Sequence, residues 1–207
     1  MAERKKGLFS LLKYAPVYDT VQRIMRVDEI RAQFARDYIC AAPGDVVLDI
    51  GCGPAHLLAH LPPVKYIGWE PNPHYVSQAR RDYGDRGVFN VGLFGPRQAR
   101  DLENTIDIAI VSAVLHHMND SEAKELFALL STTLKPGGRI VTLDNVFVDK
   151  QNLIAKFLIS IDRGRHVRDP DGYLSLARSS FERATGDVVH RVFPPYTYFF
   201  MTARNID

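Results

Sequence analysis

Asp49 is followed by Gly51, Cys52 and Gly53, and an acid, Glu70, stands about 20 residues further on. Glycines at such a turn let the backbone fold tightly and approach a ligand. Pro54 suits a first helical turn, and a helix N-terminus favours a carboxylate or phosphate. An acidic side chain at the Glu70 separation accepts hydrogen bonds from ribose hydroxyls, so an adenosine-bearing cofactor is expected. A dinucleotide fingerprint would need a third glycine at position 56, where His56 stands, which disfavours NAD. A second group is His116-His117. Imidazole titrates in the range useful to a general base, and the other reading of the pair is a structural or cofactor-adjacent role. Asp144 and Asn145 stand where they could meet a substrate, or could simply make a turn. A third group is the run from Asp162 to Arg168, with Arg163, Arg165, His166 and Arg168. It reads as a solvated basic loop or as a planar-fork receptor for a carboxylate or phosphate.

These residues need elements to hold them. Val27, Ile30, Phe34 and Tyr38 recur at helical spacing, which predicts an amphipathic helix over 27–40 stopped by Pro43-Gly44. Val46 to Ile50 reads as a strand running into the glycine turn, and Ala55 to Leu61 as a helix closed by Pro62-Pro63. Tyr66 to Trp69 is a second strand, and Asn72-Pro73 caps a helix carrying Val76 and Ala79. Val88 to Val91 is a third strand and Ile106 to Val111 a fourth, apolar enough to be buried on both faces. Asp120 is expected to cap a helix with Leu126, Phe127 and Leu130 on one face, before Lys135-Pro-Gly-Gly138 turns into a strand from Arg139 to Leu143. Alternating strands and helices predict an α/β fold with a doubly wound, mainly parallel sheet and helices on both faces. Val188 to Phe193 and Tyr196 to Ala203 are joined too tightly for a crossover helix, so they should pair antiparallel.

The segments then fit a known pattern. Val47-Leu-Asp-Ile-Gly-Cys-Gly-Pro-Ala55 resembles the first motif of the class I S-adenosylmethionine-dependent methyltransferases. Trp69-Glu70-Pro71-Asn72 resembles that family's ribose-binding acid, Asp107 to Met118 its fourth strand and following turn, and Leu134 to Arg139 its turn into the fifth strand. The resemblance covers most of residues 45 to 145, and the antiparallel terminal pair matches the family's reversed last strand. It implies a Rossmann-like fold, S-adenosyl-L-methionine as cofactor and S-adenosyl-L-homocysteine as product. It implies Asp49, Gly51, Cys52, Gly53, Glu70, Pro71, Asn72 and Ser112 as cofactor residues. Relatives often place an acid near the adenine after the third strand. Gly92-Leu93-Phe94 offers none, so the ring would be held by apolar packing from Leu93 and Phe94 or by a backbone contact. Family members often fold an N-terminal segment over the cofactor, which makes Tyr14 and Tyr18 substrate candidates beside Arg163, Arg165 and His166. His116, His117 and Asn145 are the catalytic candidates, with no metal.

The implied organisation is a single domain: an N-terminal helical cap at 1–40, a core at 41–147 and 187–207, and a helical lid insertion at 148–186. Lys+Arg 26 against Asp+Glu 24 gives a net charge of +2, unlike a dedicated nucleic-acid binder. Two cysteines cannot build a disulfide framework, which suits a reducing, cytoplasmic setting. No apolar run is long enough for a stable membrane insertion. The expected partner is a small molecule methylated on oxygen or carbon, with an anionic acceptor suggested by the arginine run; oligomeric state is left open. Alternatives are an RNA or protein methyltransferase, and a cofactor-binding regulator without catalysis.

Overall fold

Seven strands make one sheet in the computed structural model, which describes residues 27–161 and 164–205. The chain starts with α1 (Val27–Phe34), which continues as a π-helical turn over Ala35–Ile39 and ends at Cys40 in the left-handed region. The helix thus stops three residues before Pro43. The five-residue step from Phe34 to Ile39 keeps both side chains buried. Next come β1 (Val46–Ile50), β2 (Lys65–Glu70), α2 (Pro73–Tyr83), β3 (Gly87–Val91), α3 (Pro96–Asp101) and β4 (Ile106–Ser112). The chain continues with α4 (Asp120–Thr133), β5 (Leu134–Asn145), α5 (Leu153–Ser160), α6 (Pro170–Ala177), β6 (Arg183–Arg191) and β7 (Tyr196–Arg204). The spatial order is β3-β2-β1-β4-β5-β7-β6. Every neighbour from β3 to β5 pairs parallel, whereas β7 runs antiparallel to both β5 and β6. The doubly wound sheet and its reversed last strand are as expected from the sequence.

Burial alternates along the strands and divides the core in two. Leu48, Ala109, Val111, Ile140 and Phe199 pack with Phe127 and Leu130 of α4 and Tyr173 of α6 on one face. Val47, Ile108, Ile110, Val141 and Phe200 pack with Phe34, Val76 and Ile159 on the other. Ile106, Ile108, Ala109, Ile110 and Val111 are all fully buried, as a central parallel strand requires.

Three local expectations are corrected. Residues after the glycine turn make only a short 3-10 turn, His56–His60, because Ala55 sits at φ 61 and breaks the entry to an α-helix. Pro54 therefore precedes that turn rather than opening a helix. The cap of α4 is Asn119, not Asp120: its side chain accepts from Glu122 N, and the Glu122 carboxylate accepts from Asn119 N in return. Lys135 to Gly138 do not separate helix from strand. They are absorbed into β5 as an irregularity, since Leu134 lies opposite Ile106 and Arg139 opposite Ile108.

The segment expected as a lid proves heterogeneous. α6 buries Tyr173, Leu176 and Ala177 in the core and serves as the helix that leads into β6. α5 packs Ile159 into the other face while leaving Leu153 82% exposed and Phe157 61% exposed. Tyr14, Tyr18 and Arg163 lie outside the described residues.

Leu48→Ala should lower unfolding free energy by about 2–5 kcal/mol, because it opens a cavity where both faces of the sheet are covered. Val88→Thr, at a position 61% exposed, should change it by less than about 0.5 kcal/mol. Urea denaturation followed by circular dichroism measures both.

Candidate functional site

All the parallel strands point their carboxyl ends the same way, so the turns after β1, β2 and β4 meet at one edge. The β1 turn is fastened to β2: Gly51 N and Cys52 N both donate to Trp69 O, at 2.7 and 3.2 Å. Its two glycines serve different needs. Gly51 has φ +71, and a Cβ there would sit 2.5 Å from Val114 Cγ2, so it is pressed against the loop after β4. Gly53 has φ +53, yet a Cβ there would meet nothing within 4 Å among the described residues. Gly51 thus serves packing, and Gly53 leaves open space above the turn. Cys52 directs Sγ toward Gly68 of β2, beneath the turn, and burial pushes its thiol well above the usual range.

Two buried acids stand at that turn. Glu70 is 8% exposed; Oε2 accepts from Gly53 N at 3.2 Å and Oε1 from Asn72 N at 2.8 Å. One carboxylate therefore spans the glycine turn and the cap of α2. The Asn72 side chain accepts from His74 N at 3.0 Å, so Asn72 is a helix cap, as its sequence context suggested. Asp49 is 2% exposed and accepts from the Tyr66 hydroxyl at 2.5 Å through Oδ2, while its buried Oδ1 has no hydrogen-bond partner among the described residues. Desolvation raises the Asp49 carboxyl to about 7, with the nearby Glu70 charge adding to the rise and the Tyr66 hydrogen bond opposing it. Tyr66 was missed in the sequence. Its only signal is that it alternates with Gly68 and Glu70 on one face of a strand paired with β1.

The apolar residues expected after β3 are placed unequally. Leu93 is 63% exposed, whereas Phe94 meets the Trp69 ring edge-on at 6.1 Å. Trp69 Nε1 is buried without a partner among the described residues. Ser112 closes β4 opposite Leu143 and is half-buried.

Beyond β4, a 3-10 turn over Leu115–His117 presents the histidine pair. The His116 ring is 4% exposed, and its Nδ1 lies 2.7 Å from Asp144 Oδ1, which also accepts from His116 N at 3.1 Å. An oxygen that already accepts from a backbone N–H is an acceptor for the ring as well, which places the imidazole proton on Nδ1 and leaves Nε2 as the basic nitrogen. Burial pushes the Asp144 carboxyl up, while His116 and Arg168 pull it down. The His117 ring lies 4.1 Å from His116.

Asp144 and Asn145 were expected to face one pocket, but they point to opposite faces because side chains alternate along β5. Asp144 meets His116 on the α4–α6 side. Asn145 donates to the Tyr196 hydroxyl at 3.2 Å on the α5 side, where the Tyr196 and Tyr198 rings are 4.8 Å apart. Tyr173 is structural, donating to Asn145 O at 2.9 Å from within the core. The arginine run is dispersed too. Arg165 is exposed, His166 is half-buried and donates its backbone N–H to His116 O, and Arg168 turns inward to pair with Asp120 at 2.7 Å. Among the described residues, no cluster of three or more His, Cys, Asp or Glu is placed to hold a metal, and no helix is long and apolar enough to cross a membrane.

Asp49 binds its proton more tightly in the folded chain than in the unfolded one, where its carboxyl has the ordinary value near 3.8. Its contribution to stability is therefore full below that value and is lost as pH rises to about 7. Melting temperatures from pH 4 to pH 8 should show this loss, and Asp49→Asn should flatten it.

Residues 47–138 match the family described as Methyltransferase domain. An uncharacterized methyltransferase of Geobacillus sp. (strain WCH70) is 29% identical over 168 residues, covering 77% of this chain and 76% of that protein. The ubiquinone/menaquinone biosynthesis C-methyltransferase UbiE of Teredinibacter turnerae is 26% identical over 196 residues, covering 86% and 76%. Among solved structures, the pyocyanin biosynthetic protein PhzM superposes with a TM-score of 0.72 at 16% identity, over 96% of this chain and 62% of that one. The glycine turn and its two acids lie within the matched segment, and with the strand order around them the chain resembles the class I S-adenosylmethionine-dependent methyltransferases.

Proposed function

We propose that this protein binds S-adenosylmethionine over the β1 and β2 turns and methylates an oxygen of a small-molecule acceptor. The observation that carries the cofactor reading is the open space at Gly53 beside the buried Glu70 carboxylate, with a second buried carboxylate near it, Asp49, one oxygen of which has no partner among the described residues. That combination suits a ligand bringing hydroxyl donors and positive charge, which S-adenosylmethionine has in its ribose and its sulfonium and ammonium groups. The bound cofactor supplies an activated methyl group. Glu70 accepts from Gly53 N and Asn72 N, and a carboxylate in that position can share its lone pairs with ribose hydroxyls. Asp49, ionised by a nearby cation, loses the penalty of standing buried and half-partnered. Leu93, Phe94 and Trp69 offer an apolar shelf with one free indole N–H for the base.

Oxygen is favoured as the acceptor by His116. Displacement at a methyl carbon depends on alignment more than on charge stabilisation, but a hydroxyl must also lose its proton. His116 presents Nε2 for that proton, while Asp144 holds the ring and stabilises the charge it acquires. The arrangement is a carboxylate-oriented base, with the His117 ring tilted beside it. Methylation of carbon is the second reading, supported by the likeness to a quinone-pathway C-methyltransferase; the same base would then take a proton from an acidic carbon or its enol.

Calorimetric titration with S-adenosylmethionine should show binding. Below pH 7 that binding should release a proton from Asp49, so affinity rises toward pH 8. Asp49→Asn should remove the proton release, and Glu70→Gln should weaken binding roughly 10-fold or more, the scale of a lost hydrogen bond to a charged group. Wild-type protein that binds no cofactor across this range would sink the proposal. A screen of phenols and hydroxy acids, read by the mass of a methylated product, separates oxygen from carbon; His116→Ala should abolish product without changing cofactor affinity.

A further inference from the structure

Residues 164 to 168 lie directly against the proposed base. Gly164 approaches the His116 ring so closely that a Cβ there would stand 2.2 Å from Cδ2 and 2.8 Å from His116 O. Two residues on, His166 N donates to His116 O at 3.0 Å. Arg168 then reaches back under the same loop. Nη1 donates to Leu115 O at 3.0 Å and His166 O at 2.8 Å, and Nη2 to Met118 O at 2.8 Å and Asp120 Oδ1 at 2.7 Å. Nε adds a second bond to Asp120 Oδ1 at 3.0 Å. Its guanidinium lies over the Tyr173 ring at 5.7 Å, and its own carbonyl accepts from Phe147 N just beyond β5. One side chain thus joins the 3-10 turn that carries His116 to the start of α4, and its backbone joins both to the end of β5, the strand that carries Asp144.

We infer that Arg168 is a positioning residue for His116, and that the 164–168 strap sets the ring against Asp144 rather than merely closing the fold. This rests on the proposed role of His116 as the base. The backbone alone does not fix that ring: the Leu115–His117 turn is three residues long, too short to be rigid by itself. Leu115 O and Met118 O flank the histidine pair, so Arg168 grips the turn on both sides of His116. A guanidinium presents five donors in one plane, and Arg168 uses them on acceptors arranged in a fan. A lysine ammonium cannot reach all of them. Among the described residues, the charged and titratable groups near His116 include Asp144 from β5, His117 from its own turn, and His166 and Arg168 from the strap, with Asp120 behind Arg168.

The test reads the ring itself and needs no acceptor. With protein labelled at histidine nitrogens, long-range proton–nitrogen spectra at about pH 9, above the ordinary imidazole range, report which ring nitrogen carries the proton. His116→Asn assigns the signal. Wild type should show His116 held as the Nδ1–H tautomer. Arg168→Met and Arg168→Lys should give an averaged tautomer signature at His116. Asp120→Asn leaves Arg168 its three carbonyl partners and should shift that signature part of the way. Cofactor affinity of the variants should stay within about twofold of wild type, because Arg168 touches neither Asp49, Gly53 nor Glu70. If folded Arg168→Lys and Asp120→Asn proteins melt earlier but keep the wild-type His116 signature, Arg168 is structural only and the inference falls. If Arg168→Met does not fold, the lysine and Asp120 variants still decide it. Failure of wild type to bind S-adenosylmethionine would count against the proposed function, and the tautomer comparison would decide the role of Arg168 independently.

Discussion

One carboxylate holds two loops in register. Glu70 stands at the end of β2 and accepts from the β1 turn through Gly53 N and from the start of α2 through Asn72 N. Remove that bridge and the glycine turn keeps its bonds to Trp69 O but loses its tie to the next element. The same side chain is the one expected to receive a ribose. Structure and recognition therefore draw on the same lone pairs, and a ligand arriving there must share them. Burial makes the arrangement costly in isolation. The orphaned Asp49 oxygen next to it carries the sign of that cost, since a buried acceptor without a donor is rare in a folded protein.

The other half of the site is built on alternation. Because side chains change face at every residue of a strand, Asp144 reaches His116 while Asn145, next in the chain, joins Tyr196 and Tyr198 on the far side. The loop after β4 is squeezed between these parts. Val114 presses on Gly51, Gly164 presses on His116, and Arg168 grips the carbonyls around them. Cofactor turn and proposed base are thus in contact through a few side chains, without a long path between them.

Much of this was legible in the residues. Hydrophobic period marked the strands, and the Asp49, Gly51, Gly53 and Glu70 spacing marked the ligand turn, because both depend on local order in the chain. What was not legible depends on contacts across the sheet. Tyr66 pairs with Asp49 only because β1 and β2 lie side by side with Asp49 opposite Gly68. The arginine run looked uniform, yet Arg168 turns inward to loop carbonyls while Arg165 stays exposed, and nothing in their spacing separates them. The Ala55 backbone also defeated expectation: an alanine with positive φ ends the helical reading that Pro54 invited.

The π turn at Ala35–Ile39 has a consequence for how this chain tolerates insertions and deletions. A π turn accommodates one residue more than the regular helix would hold, and here that residue lets Phe34 and Ile39, five apart, both be buried, while Phe34 and Tyr38 meet Phe200 at 5.4 and 4.5 Å. Deleting one residue in this stretch would give the backbone a regular helix and a better local geometry. It would also turn everything before it by about 100° around the helix axis. Ile30 and Phe34 would then leave the sheet, and the Arg191 bond to Glu29 would point elsewhere. A length change that improves one element's own hydrogen bonding would thereby unseat it from the fold, so the reading frame of this helix is set by β7 rather than by the helix itself.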